Sequence, residues 1–296
     1  MKTPVSVIVP TKNEERNIEN CLQYLLWADE IIVFDSFSTD RTIGLAESFG
    51  ARVVQREFDN FAAHKNWAFD NIKTKHNWIL LIDADEQVTS DLAEEIGQCI
   101  AATSSQYCGY YIARKNHFAG KWMRHGGWYP NWNMRLILKG RGRYEQRLVH
   151  EHILLDGPTG FLKHALIHDD YKGVERYFDR HNHYSTLEAV EAYREMTGGT
   201  DSKTLRGTLI KSGPYRRRML KNFAYRYLPG RALFKFIWMY LVRLGFLDGR
   251  IGFRYCLLHA FYEYQISLKL IELKDKNSPL YARFADYIGD TQHPRS

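Results

Sequence analysis

Three carboxylates, Asp83, Asp85 and Glu86, follow at once on a short apolar run, Ile79-Leu80-Leu81-Ile82. Two acids one residue apart at a strand exit can share a hard divalent cation, Mg²⁺ or Mn²⁺, with a phosphate-bearing substrate, because such ions take oxygen ligands. Asp35 ends a second apolar run, Ile31-Ile32-Val33-Phe34, and Pro10-Thr11-Lys12-Asn13-Glu14-Glu15 ends a third. Taken alone, Asp83 and Asp85 also read as an acidic turn with Thr89 or Ser90 capping the next helix. Two acidic strand ends that converge say more than either alone, since open α/β sheets bind ligands beyond the carboxyl ends of their strands.

The elements that must position these groups alternate. Runs at 5–9, 30–34, 51–55 and 78–82 read as strands, and the continuous apolar ones suit strands covered on both faces. Between them, helices are expected from Asn13, as N-cap, to about Trp27, from about Asp40 to Phe49 with Gly50 closing it, and over 61–69. This is the α/β alternation of a doubly wound, mainly parallel sheet with flanking helices. Residues 107–114 and 136–138 read as further strands. The loop 120–132 is rich in glycine and aromatic residues, and it reads either as a sugar-stacking lid or as a loop packed on the domain.

The 296 residues are 45% hydrophobic, enough for a large core plus an appendage. Four cysteines without paired spacing argue against a disulfide framework or a zinc site and suit a reducing compartment. The chain enters a strand-like run near its start with no secretory leader pattern, and no apolar run reaches the roughly 18–20 residues of a spanning helix. The net charge of +7 is concentrated: residues 205–254 hold twelve Lys/Arg against one acid, Asp248, while the rest of the chain carries 29 cations and 33 acids. In that segment cations alternate with Leu, Phe, Trp and Tyr at helical spacing, the composition of an in-plane amphipathic helix on an anionic membrane. The competing readings are packing on the catalytic part with solvated cations, and nucleic-acid binding, which no accompanying motif supports.

Val-Ser-Val-Ile-Val-Pro-Thr-Lys-Asn-Glu-Glu (5–15), Ile-Ile-Val-Phe-Asp-Ser-Phe-Ser-Thr-Asp-Arg-Thr (31–42) and Leu-Leu-Ile-Asp-Ala-Asp-Glu (80–86) together resemble family 2 glycosyltransferases of the GT-A fold. Arg135-Leu136-Ile137, His150-Glu151, Leu166-Ile167-His168 and Gly245-Phe246-Leu247-Asp248-Gly249 extend the resemblance towards the lipopolysaccharide core β-1,4-glucosyltransferase branch. The resemblance implies an inverting, metal-dependent transfer of a hexose, glucose from UDP-glucose, onto a membrane-anchored glycan such as the lipopolysaccharide inner core. Another surface polysaccharide or lipid-linked glycan is the alternative acceptor.

Carried over by position, Pro10, Thr11 and Glu14 would border the nucleoside, Asp35 would hold the base, and Lys65 would lie near base or pyrophosphate. Asp83 and Asp85 would position ribose and Mn²⁺ or Mg²⁺, with His168 as a further metal ligand. Arg135 would bind a phosphate. Trp128, Tyr129 and His150 are expected on the acceptor side, and Glu151 as catalytic base, with Glu145 second. Without the resemblance, Asp35 reads as an Asx turn, Lys65 as a solvated helical side chain, and His150 and Glu151 as loop braces.

The expected organisation is a GT-A, Rossmann-like catalytic domain over 1–170, with a donor half 1–105 and an acceptor half 106–170. A helix and linker would follow over 171–203, then a helical, basic, membrane-facing region over 204–296 whose tail after Asn277 is loosely held. The expected location is cytoplasmic, peripheral on the inner face of the cytoplasmic membrane, with no nucleic-acid partner. A sugar nucleotidylyltransferase would need a Gly-rich basic loop after the first strand, which 10–14 is not. A non-catalytic nucleotide-sugar or lipid-binding scaffold would not need Asp83, Asp85 and Glu151 intact.

Overall fold

The computed structural model describes residues 2–102, 107–145, 153–169, 173–197 and 230–290. The chain divides into two units, residues 1–171 and 172–296.

The first unit is built on a nine-stranded mixed sheet. Its strands are β1 (Thr3–Thr11), β2 (Ala28–Asp35), β3 (Arg52–Gln55), β4 (Trp78–Leu81), β5 (Glu86–Gln87), β6 (Gly109–Phe118), β7 (Lys121–Trp122), β8 (Asn131–Leu138) and β11 (Thr159–Asp169). Their order is β3-β2-β1-β4-β8-β6-β11-β5, with β7 on β6, and β9 (Gly142–Tyr144) pairs separately with β10 (Ile153–Leu155). The first four strands are mutually parallel, and β8 turns antiparallel against β4.

Helices α1 (Ile18–Gln23), α2 (Thr42–Ser48), α3 (Phe61–Asn71) and α4 (Ser90–Ala101) flank this sheet. Val5, Val7 and Val9 pack into one core with Leu22 and Leu92, while Ile8, Ile32 and Phe34 pack into another with Ala62 and Ala68. Burial on both faces is why these strands read as unbroken apolar runs.

Two helix starts differ from expectation for one reason. Asn13 does not cap α1. It takes a left-handed φ of 54°, gives its N–H to Ser38 Oγ at 2.8 Å, and accepts the Thr39 N–H on Oδ1 at 2.8 Å. Glu14 N–H donates to Thr42 Oγ1 and Glu15 N–H to Asp40 Oδ2. These cross-loop bonds hold residues 13–15 and 38–42 against each other, so α1 and α2 begin later than local propensity suggests. Thr89 caps α4 and Asn60 caps α3, each by accepting a backbone N–H three residues on. Asn66 ties α3 to β9, donating to Tyr144 O at 3.0 Å and accepting Tyr144 N–H at 2.8 Å.

The second unit is helical: α5 (Gly173–Met196), α6 (Arg231–Ile237) running into a π turn (Trp238–Val242), a 3-10 turn (Gly245–Asp248), α7 (Gly249–Glu272) and α8 (Pro279–Ile288). Of its described helices none is long and apolar enough to cross a membrane. A Cβ on Gly252 would lie 2.2 Å from Gly245 O, so the 3-10 turn can seat on α7 only with glycine there. Lys269 Nζ bonds Asn182 O and Ser185 Oγ at 2.7 Å, and Tyr262 OH donates to Glu188.

Residues 278–290, expected as a loose tail, are held in place. Ser278 accepts Tyr281 N–H, Pro279 occupies the first turn where its missing donor costs nothing, and Tyr281 is buried. Tyr287 OH then donates to Glu191 on α5.

Burial, followed by Lys235 and His181, pushes His259 of α7 down to about 3. The folded chain therefore holds His259 neutral where the unfolded chain, near 6.5, takes up a proton. Stability from this group is present above pH 6.5 and is lost as pH falls below it. Between pH 7 and pH 5 the helical unit should lose about 2 kcal/mol in urea denaturation from this group. His259→Leu should remove that share of the slope, and an unchanged slope would refute the assignment.

Candidate active site

Parallel pairing brings the carboxyl ends of β1 and β2 level, with Thr11 opposite Asp35, and hydrogen-bonds Ile82 beyond β4 to Ile8 O. The acids at these ends therefore meet at one crevice. Asp35 is fully buried and organises the rim: Oδ1 accepts Thr11 Oγ1 at 2.9 Å and Ser38 Oγ at 2.5 Å, and Oδ2 accepts Ser38 N–H at 2.7 Å. The Asx-type bond to Ser38 and the bond to Thr11 together fix the loop bearing Ser36. Pro10, partly exposed, lies beside Phe34 in the β1–β2 register, and Glu14 Oε2 accepts Asn17 Nδ2.

His64 of α3 lines the same end. Its ring stacks on Phe34 at 4.1 Å, Arg56 donates to Nδ1 at 3.1 Å, and Nε2 faces Ser36 Oγ at 3.3 Å. Burial and then Arg56 lower its pKa, so the neutral ring carries its proton on Nε2.

The second half of the site is an ion network. Arg135 of β8 is buried, with Nη2 at 2.5 Å from Asp83 Oδ2 and 2.6 Å from Glu86 Oε1. Glu86 has no exposed surface, receives Asp83 N–H on its other oxygen, and has Arg114 Nη1 at 3.5 Å. Desolvation opposes the charge on Asp83, but Arg135 and then Lys65 outweigh it and hold the carboxyl far below the usual range. Burial, against Arg135 and reinforced by Asp83, raises Glu86. Arg135 was expected at a phosphate, but its guanidinium is spent on these two acids. Lys65 sits half-buried on α3 with Nζ 4.8 Å from the Tyr144 ring centre.

Asp85 and His168 form the remaining pair. His168 lies opposite Glu86 in the β5–β11 register, and its Nε2 is 3.4 Å from Asp85 Oδ2, too far for a strong hydrogen bond. Two donors each about 2.1 Å from one octahedral ion lie roughly 3 Å apart, so the spacing fits adjacent positions on a small divalent cation. Asp83, also expected as a ligand, has both oxygens turned to Arg135. Among the described residues no group of three His, Cys, Asp or Glu could close around a metal. Two protein donors with open positions is what Mg²⁺-type sites with a phosphate substrate present.

Trp128 and Tyr129 are half-buried, with the Tyr129 ring edge-on to Trp122 at 5.2 Å, and the Tyr129–Pro130 bond is cis. His150 and Glu151 lie outside the described residues, and Glu145 is half-buried next to β9. Sequence reasoning missed Arg114 and the role of Glu86. Alternation along 110, 112 and 114 was the available signal for Arg114, which ends a buried row.

Removing Arg135 would leave two acids facing each other without the guanidinium that bridges them, Arg114 and Lys65 acting only from farther away. Arg135→Met should cost about 3–5 kcal/mol in urea denaturation. A loss below about 1 kcal/mol would mean that the network carries little of the fold.

Comparison with known proteins identifies the family. The profile of Glycosyl transferase family 2 matches residues 6–167, which span the described sheet apart from the outermost residues of β1 and β11. The lipopolysaccharide core biosynthesis glycosyltransferase LpsC of Rhizobium meliloti (strain 1021) is 30% identical over 195 residues, 64% of this chain and 71% of that protein. The uncharacterized glycosyltransferase RT0209 of Rickettsia typhi (strain ATCC VR-144 / Wilmington) is 24% identical over 94% of this chain and 90% of its own length. A crystal structure of glucosyl-3-phosphoglycerate synthase from Mycobacterium tuberculosis with Mn²⁺, uridine diphosphate and glucosyl-3-phosphoglycerate aligns at 25% identity and a TM-score of 0.32. That alignment covers 38% of this chain and 45% of the other, less than half of its length. With its acidic strand ends set in a mixed α/β sheet of GT-A type, the chain belongs to glycosyl transferase family 2 and is a glycosyltransferase.

Proposed function

We propose that the protein is an inverting, metal-dependent hexosyltransferase that moves glucose from UDP-glucose onto a membrane-anchored glycan of the lipopolysaccharide inner-core type. The observation that carries this reading is the Asp85–His168 pair, open beside a rim shaped by Thr11 and Asp35. The name of LpsC supports the acceptor class, and the resemblance to the core β-1,4-glucosyltransferase branch supports the sugar.

In this reading the nucleoside lies over the ends of β1 and β2, bordered by Pro10, Thr11 and Glu14. Asp35 holds the base edge in place through the loop it fixes. Lys65 supplies positive charge towards the pyrophosphate, and Arg135 keeps Asp83 ionised and fixed for the ribose side. Mn²⁺ or Mg²⁺, held by Asp85 and His168, would supply the charge that offsets the leaving diphosphate. Glu151 takes the proton from the acceptor hydroxyl as that oxygen attacks the anomeric carbon in line. Trp128, Tyr129 and His150 receive the acceptor.

Membrane attachment is part of the proposal, with the protein peripheral on the inner face of the cytoplasmic membrane. Large apolar side chains stand in solvent along α6, its π turn and the 3-10 turn, among them Leu233 (65% exposed), Trp238, Leu241 (55%), Val242 and Leu247. Lys235, Arg243, Arg250 and Arg254 are interleaved with them. Apolar surface with cations at its margin suits an anionic bilayer interface.

UDP with Mn²⁺ should raise the melting temperature more than UDP alone, by mass action on the folded state. Asp85→Asn should keep the fold, lose the metal-dependent part of the shift, and cut transfer by about 10²-fold or more. No shift with UDP, GDP, CMP or dTDP, with or without metal, would favour the scaffold reading. The chain should also co-sediment with phosphatidylglycerol vesicles, less so at high salt, and Leu241→Glu with Val242→Glu should leave it in the supernatant. Retained binding by that variant would move the contact elsewhere.

A further inference from the structure

The exposed face of the helical unit carries a groove that general membrane affinity does not require. It is lined by Tyr240, Phe246, Gly249, Arg250, Phe253 and Arg254. Its walls are pre-formed. Tyr240 is edge-on to Phe253 at 5.6 Å and to Phe246 at 6.1 Å, and Phe236 stacks on Tyr240 at 5.3 Å behind it.

Its charge is of one sign. Arg250 and Arg254 stand one helical turn apart on the first turns of α7, both exposed, and neither has a carboxylate partner among the described residues. Arg231 of the same unit is by contrast paired with Glu263. Asp248, the residue before Gly249, is buried and does not line the groove. Gly249, at a φ of 66°, adds no side chain where α7 begins, so a ligand can approach the backbone there.

Two guanidinium groups with fixed forked donors suit a phosphate better than a single point charge would. Three aromatic rings below them suit the first carbons of an acyl or glycerol moiety, and exposed Leu244, Leu247 and Leu257 continue the apolar surface outward. A free phosphate would leave the rings unused, and a zwitterionic headgroup would set an ammonium against two arginines.

We propose that this groove is a specific site for one phosphate-bearing lipid headgroup, with Arg250 and Arg254 as phosphate clamp and Tyr240, Phe246 and Phe253 as the seat of the attached hydrocarbon. The assignment rests on the membrane-facing reading of this unit and adds to it a discrete binding stoichiometry.

The test is calorimetric titration of the full chain with three probes: dihexanoyl phosphatidic acid below its micelle concentration, dihexanoyl phosphatidylcholine, and inorganic phosphate. Phosphatidic acid should bind at one site, about tenfold or more tighter than the other two, and Arg250→Gln with Arg254→Gln should lose that margin. Lys274→Gln with Arg283→Gln removes the same charge outside the groove and should change affinity by less than about twofold, since exposed charges act weakly through solvent. Equal losses in the two double variants would overturn the site in favour of diffuse attraction. Inorganic phosphate binding as tightly as phosphatidic acid would overturn the lipid assignment. Vesicle co-sedimentation by the Arg250/Arg254 variant alongside unchanged phosphatidic acid binding would overturn the clamp while leaving membrane attachment standing, and the UDP–Mn²⁺ shift reports the donor site separately.

Discussion

A buried guanidinium holding two carboxylates governs the architecture of the crevice at the strand ends. Arg135 reaches from β8 to Asp83 after β4 and to Glu86 at β5, and Arg114 of β6 joins from the far side. Four segments are thus referred to one charge cluster at the point where β8 turns antiparallel against the parallel strands β1–β4. Burying such ions is costly, and the cost is offset only while every partner stays in place. The result is geometric definition: Arg135 and Glu86 hold the turn after β4 through the Asp83 carboxylate and N–H, and Asp85 stands 3.4 Å from His168.

The opposite wall is defined by weaker but more numerous bonds. The loops after β1 and β2 exchange backbone and hydroxyl contacts through Asn13, Ser38, Thr39, Thr42 and Asp40, while Asp35 draws in Thr11 and Ser38. A rim built this way presents preset donors and acceptors, so little ordering is left for a ligand to supply.

Much of the fold and of the acidic strand ends was legible in the sequence. Strands buried on both faces announce themselves as apolar runs, and acids directly after them mark the crevice. Helix α5 falls inside the stretch 171–203 expected to hold a helix and linker, because its signals are local. What failed to show was nonlocal. Asn13 has the chemistry of an N-cap, yet its partners lie about 25 residues away, and that distance carries no sequence trace. Arg135 looked like a phosphate ligand because its counter-ions stand 49 and 52 residues earlier. The segment after Asn277 reads as a loose tail, yet Ser278 followed by Pro279 is also a helix start, and α8 begins there.

Cys21 gives the crevice one more property. Its sulfur approaches Asp83 O at 3.7 Å, directly under the acids, and burial together with Glu86, Asp85 and Asp83 raises its pKa well above the ordinary value. The sulfur beneath the crevice is consequently a neutral thiol, poor both as a nucleophile and as a metal ligand. Thiophilic ions such as Cu(I) find only carboxylate and imidazole there, while alkylating and oxidising agents meet a sulfur with little thiolate character. The carboxylates that make the crevice acidic thereby also keep the sulfur beneath it protonated.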